Sequence, residues 1–189
     1  MPSMDNLPAV VALGGTLALL WAAAWVDFRT FRIPNALVLS SAAFGLFAQT
    51  WGGGLDGAWQ ALVGLALGLA LLFPVYLIGH MGAGDVKLVG AAGALLGPGS
   101  LLLALLFAVL AAGVMGAAYA LGAWRGRGAT GPWRRYGRML QFVWVTGRPS
   151  YLAPEVGEAM AERLPLAVPM AVGATVVLLW PDAAQLLPL

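Results

Sequence analysis

LPAVVALGGTLALLWAAAWVDFRTFRIPN, residues 7–35, holds twenty positions without a charge and then, from Asp27, a charged turn that ends at Pro34. A helix needs about 20 predominantly apolar residues to cross a hydrocarbon core. Leu7–Val26 therefore reads as a membrane helix, with Asp27 at its end. Ala22 and Ala24 imitate the small-x-small pattern of a signal-peptide cleavage site, but Met1–Asn6 carries Asp5 and no Lys or Arg. A secretory leader begins with positive charge, so the segment is expected to remain as a helix.

The rest of the chain repeats the pattern. Of 189 residues, 61% are hydrophobic and 10% charged, whereas soluble domains run near about 45–50% and about 25%. That excludes a set of water-soluble domains and predicts one integral-membrane domain over residues 1–189. Five more apolar segments follow the first. Ala36–Trp51 is opened by Pro34 and ended by Gly52-Gly53-Gly54; Ala58–Ile78 is interrupted near its end by Pro74. Val86–Leu96 stops at Gly97-Pro98-Gly99, and Leu101–Trp124 and Leu164–Trp180 complete the set. Proline suits a helix start because the N–H it lacks would be unpaired there. The expected fold class is all-α, a polytopic bundle of about six transmembrane helices. Val86–Leu96 is too short to span alone unless it is extended, buried in protein or met by a thinned bilayer. Twenty-six glycines suit helices that must approach closely in lipid, where no hydrophobic drive operates between them. The Gly64/Gly68 pair reads as generic packing rather than as a dimer motif.

The basic residues are Arg29, Arg32, Lys87, Arg125, Arg127, Arg134, Arg135, Arg138, Arg148 and Arg163. With the N-terminus outside, all ten fall in or beside a cytoplasmic connection, and the outside segments carry Asp5, Asp56 and Asp182. The positive-inside rule thus predicts both termini outside and cytoplasmic connections at 28–34, 80–84 and 125–163.

On this topology Asp27 and Asp85 lie at the cytoplasmic ends of their helices, at one depth. Ionised carboxylates in or near lipid are expensive and tend to be functional. Two held face to face share a proton. One can then take a proton from water while the other gives one to an amide carbonyl oxygen. That chemistry needs neither metal nor covalent intermediate, and no cofactor is expected. Without cysteine there is no disulfide or thiolate zinc site, and there is no HExxH or GxSxG pattern. The plain structural alternatives are Asp85 as a helix N-cap and Asp27 as an interfacial partner of Arg29 or Arg32.

Gly82-Ala83-Gly84-Asp85-Val86-Lys87-Leu88 resembles the GxGD signature of intramembrane aspartyl proteases, in the extended form of the prepilin peptidases. Asp27-Phe28-Arg29-Thr30-Phe31-Arg32-Ile33-Pro34-Asn35 is similar to the other half of that family's pattern, and Leu164-Pro165-Leu166-Ala167-Val168-Pro169-Met170 loosely resembles its terminal segment. The resemblance implies Asp27 and Asp85 as the catalytic pair of an aspartic endopeptidase. Its substrates would be type IV pilin-like precursors, cut between basic leader and hydrophobic helix at the cytoplasmic face of the bacterial inner membrane. Gly82 and Gly84 would let an extended peptide approach Asp85. Lys87 would either support Asp85 or snorkel to lipid phosphates, the latter preferred. Pro34 and Asn35 would set the start of the second helix rather than touch substrate, and His80 reads as structural. Long family members carry a Cys-bearing insert linked to N-methylation. Here seven residues, Phe28 to Pro34, separate Asp27 from Asn35, and there is no cysteine. The chain resembles the short tight-adherence (Flp) type, with peptidase activity and no methyl transfer.

Residues 125–163 form the long connection. Arg134, Arg135 and Arg138 mix with Trp133, Tyr136, Phe142 and Trp144, the pattern of an interfacial helix on anionic lipid. Membrane lipid accounts for this charge, so no nucleic-acid partner is expected. Glu155, Glu158 and Glu162 are spaced to share one helix face and could dock a basic leader; the alternative is an ordinary solvated face. The competing function is a small ion-coupled transporter or channel subunit using the same Asp residues, although such proteins hold ionisable groups near the midplane.

Overall fold

The computed structural model describes residues 7–79, 81–126, 133–147, 152 and 165–180. Their regular structure is entirely α-helical, in keeping with the all-α expectation: α1 Leu7–Thr30, α2 Asn35–Leu77, α3 Ala83–Leu96, α4 Pro98–Gly126, α5 Trp133–Thr146 and α6 Ala167–Leu179. Among the described residues, three segments are long and apolar enough to cross a membrane, Ala9–Thr30, Asn35–Leu77 and Pro98–Tyr119.

A straight helix of α2's 43 residues would reach about 65 Å, twice the thickness of a hydrocarbon core. Gly54 prevents this. Its backbone is non-helical (φ 60°, ψ −137°), in the left-handed half of conformational space that glycine enters freely. The two arms, 35–53 and 55–77, fold back on each other: Gly57 lies against the Gln49 carbonyl, and Gly45 and Gly64 meet the adjacent residues Ala94 and Gly93 of α3. The expected second and third helices are these arms. The glycine run turns the chain without opening a loop. Pro74 does not interrupt the second arm, which runs on to Leu77; near a helix end the lost hydrogen bond is one of few, and the Pro74 carbonyl still accepts from Ile78 at 3.2 Å.

Other boundaries also shift. α1 continues past Val26 to Thr30, so Asp27 lies inside its last turn. α3 starts at Ala83 rather than Val86, because Gly82 (φ −75°, ψ 147°) provides the extended N-cap. α4 starts at Pro98, ahead of the expected Leu101, and α6 is shorter at both ends than Leu164–Trp180, since Leu166 is its N-cap and Trp180 its extended C-cap.

The chain divides into two compact units, Met1–Ala111 with Pro165–Leu189, and Ala112–Leu164. In the first, α3 is the central element. At 14 residues it is about 21 Å long, and Val86 and residues 88–96 are buried. It is therefore sheathed by protein rather than spanning lipid alone. The core mixes leucine and valine with many small side chains: Ala23 and Ala24 of α1, Ala92 of α3, Ala104 and Ala108 of α4, and Ala167, Ala171 and Ala174 of α6. Backbones touch where glycines face each other. A Cβ on Gly64 would collide with the Gly93 carbonyl, and one on Gly68 with that of Val89. The Gly64/Gly68 pair thus packs within the chain, as the generic reading expects. In the second unit, α5 ends at Gly147 (φ 65°) and leaves Leu140, Phe142, Trp144 and Val145 exposed. A helix does form in the stretch expected to be interfacial.

Candidate active site

The last turn of α1 carries Asp27 at the point where the helix must stop. Phe31 stops it, with φ 51°, the one non-glycine positive φ among the described residues. The Phe31 N–H donates to the Asp27 carbonyl at 2.8 Å. Thr30 Oγ1 donates to the Val26 carbonyl at 2.9 Å and accepts from the Arg32 N–H at 3.3 Å. The chain then runs through Ile33 and Pro34, the extended N-cap of α2 (ψ 133°). Pro34 and Asn35 thus do set the start of this helix.

The Asp27 side chain points inward and is only 4% exposed. A buried carboxylate needs a donor. It has one in the main-chain N–H of Ala167, the first residue of α6, at 3.1 Å from Oδ2. Arg29, weighed above as a partner for Asp27, lies over the Trp25 ring, 4.4 Å from its centroid.

Asp85 lies in the first turn of α3, outside the three membrane-length helices. It is not the N-cap; that place belongs to Gly82. Its carboxyl is raised above the ordinary carboxylate range, first by burial and second by repulsion from Asp27, while a hydrogen bond from the Gly82 main chain acts the other way. The fold thus brings together the two carboxylates singled out in the sequence, close enough for one to disfavour the charge of the other. A Cβ on Gly82 would come within 3.3 Å of Asp85 Oδ2, whereas one on Gly84 would meet nothing nearer than Ile33 Cβ at 3.7 Å. Lys87 does not reach outward alone: its Nζ donates to Asn35 Oδ1 at 3.2 Å.

His80, Glu155, Glu158 and Glu162 lie outside the described residues. Sequence reasoning missed the Ala167 N–H. A main-chain donor has no side-chain signature, and the one available signal was the loose likeness of Leu164–Met170 to a terminal motif.

Two carboxylates from different helices, one buried and one half-exposed at the mouth of a short buried helix, have the composition of an acid–base pair. The type IV leader peptidase family model matches residues 15–121, more than half of the chain. The matched stretch contains Asp27, Pro34, Asn35, Gly82, Gly84, Asp85 and Lys87 and ends before α5 and α6. No curated protein and no solved structure matches. With membrane-length helices and both Asp motifs inside the matched region, this chain is a membrane protein that belongs to the type IV leader peptidase family.

Proposed function

We propose that the chain is an aspartic endopeptidase that uses Asp27 and Asp85 to remove the leader from type IV pilin-like precursors. The observation that carries the reading is that the head of α3 adjoins the turn after Asp27, with Lys87 Nζ 3.2 Å from Asn35 Oδ1 and Gly84 beside Ile33; the charge of Asp27 in turn disfavours that of Asp85. Family membership supplies the substrate class. One carboxylate accepts a proton from a water molecule as the water oxygen attacks the scissile carbonyl carbon. The other protonates the carbonyl oxygen, and collapse of the tetrahedral species breaks the C–N bond as the leaving nitrogen takes a proton. The half-exposed side of Asp85 is the open approach for a peptide.

The protein sits in the bacterial inner membrane with its N-terminus outside and the dyad near the cytoplasmic face, as the ten basic residues require under the positive-inside rule. Residues 1–189 act as one membrane domain, with 125–163 as a cytoplasmic connection along anionic lipid. Peptidase activity comes without methyl transfer, in the manner of the short Flp type. Glu155, Glu158 and Glu162 offer a face of the right sign to draw in a basic leader.

The test is cleavage of a basic-leader prepilin by purified protein in lipid. Asp27→Ala, Asp85→Ala and the corresponding Asn variants are each expected to abolish product while staying in the membrane, since an amide cannot exchange the proton. Near-normal cleavage by any of them would remove the aspartyl mechanism and return the transporter reading to the front.

A further inference from the structure

The family match ends at residue 121, yet the first residue of α6 touches the first carboxylate. We propose that the N-terminus of α6 is a positioning element of the active site, holding the Asp27 carboxylate through the Ala167 main-chain N–H. The inference rests on the aspartyl reading above.

The first few N–H groups of any helix have no partner within it. In α6 the N-cap is Leu166, whose hydrocarbon side chain makes no capping bond. The Val168 N–H turns back to the Pro165 carbonyl at 3.3 Å, and that of Met170 to the Leu166 carbonyl at 3.3 Å. Ala167 directs its N–H to Asp27 Oδ2, which belongs to a residue 140 positions earlier in the chain. The aligned peptide dipoles of a helix also attract a negative group at this end.

Asp27, Thr16 and Ser41 are the buried polar or charged side chains among the described residues. The Ser41 hydroxyl is satisfied locally, by the Leu37 carbonyl at 2.8 Å. Asp27 instead takes its donor from a distant helix, and that helix is firmly seated. Ala167, Met170, Ala171, Ala174 and Val177 share a core with Leu20, Ala23 and Ala24 of α1. Trp21 Nε1 donates to Thr175 Oγ1 at 3.1 Å, and a Cβ on Gly173 would collide with the Ala104 carbonyl of α4. The donor that fixes Asp27 is therefore part of a packed backbone, with no rotamer of its own to lose. Catalytic groups held this way keep the reacting atoms aligned, and misplacement by about 1 Å can cost about a hundredfold in rate.

The test removes the single N–H. Lactic acid installed at position 167 by nonsense suppression in cell-free synthesis into liposomes replaces the amide with an ester and keeps the methyl side chain. The expected result with a basic-leader prepilin is a fall in kcat of about tenfold to a hundredfold, the range for a hydrogen bond to a charged group, with KM little changed. The control is α-hydroxyisovaleric acid at position 168, which removes the N–H bonded to Pro165 and should leave kcat within about twofold. An unaltered kcat with the ester at 167, or equal losses from both esters, overturns the proposal. Asp27→Ala run alongside separates the two readings. If that variant is active, the aspartyl mechanism fails. If it is inactive while the ester at 167 works at full rate, the positioning role alone fails.

Discussion

Lys87 Nζ lies 3.2 Å from Asn35 Oδ1 and so ties the first turns of α3 and α2 together across the two Asp-bearing motifs. Both side chains are exposed, and such a bond contributes about 0.5–1.5 kcal/mol. Its place matters more than its strength, because Asp85 and the turn after Asp27 lie on either side of it.

Lys87→Met and Asn35→Leu are each expected to lower the cleavage rate by about threefold to tenfold, with the double variant no worse than the poorer single. Non-additivity is the mark of a shared contact. If Lys87 served lipid phosphates instead, Asn35→Leu would leave the rate unchanged and the effects would add. Steady-state rates of the four proteins in one lipid mixture decide between these outcomes.

Gly64→Val should be among the most destabilising substitutions in the chain. Its side chain would drive into the Gly93 carbonyl, which is backbone and cannot move aside; overpacking of this kind typically costs about 1–3 kcal/mol. Gly14→Val, at a position with open space around its Cβ, is the matched control and should stay within about 0.5 kcal/mol. Unfolding in mixed detergent micelles provides the comparison.

Phe31→Gly is expected to stabilise the protein by about 1 kcal/mol, because φ 51° is strained for a side-chain-bearing residue. Phe31→Val should lower stability, a β-branched residue fitting that region worst. If Phe31→Gly is stable yet slow, the exposed ring works on substrate rather than on the turn.

Gly82→Ala and Gly84→Ala separate two reasons for glycine beside Asp85. At 82 the added methyl presses on Asp85 Oδ2 at 3.3 Å, so kcat should fall by about tenfold. At 84 the added methyl makes an ordinary 3.7 Å contact with Ile33. That variant should unfold at the wild-type temperature, with any loss appearing in KM as the peptide's approach narrows. A lowered unfolding temperature for Gly84→Ala would place its role in folding instead.

Much of this was legible in the chain because lipid imposes coarse rules. Runs of apolar residues mark six apolar helices, and the two arms of α2 stand out in the sequence on either side of Gly52-Gly53-Gly54. Asp27 and Asp85 were legible because charge is rare in such a sequence. Helix ends were less so. Asp27 looks terminal when hydropathy is the guide, since the apolar run stops at Val26, but hydrogen bonding carries α1 on to Thr30. Asp85 looks like a cap because Asp often is one, yet Gly82 adopts the extended conformation first. In the sequence Lys87 looks free to reach lipid because its partner Asn35 belongs to another motif, and only the fold brings the two together.

The short helix α3 has a consequence for how the protein meets its bilayer. Asp85 stands at the head of a helix wrapped by α2 along its length, so its depth is set by protein packing and not by acyl-chain length. A pilin precursor, by contrast, floats at whatever level its own hydrophobic stretch finds in the lipid. If Asp85 makes the cut as proposed, thickening or thinning the membrane should slide the substrate past a stationary blade, and lipid chain length becomes a ruler for where on the precursor the cut can fall.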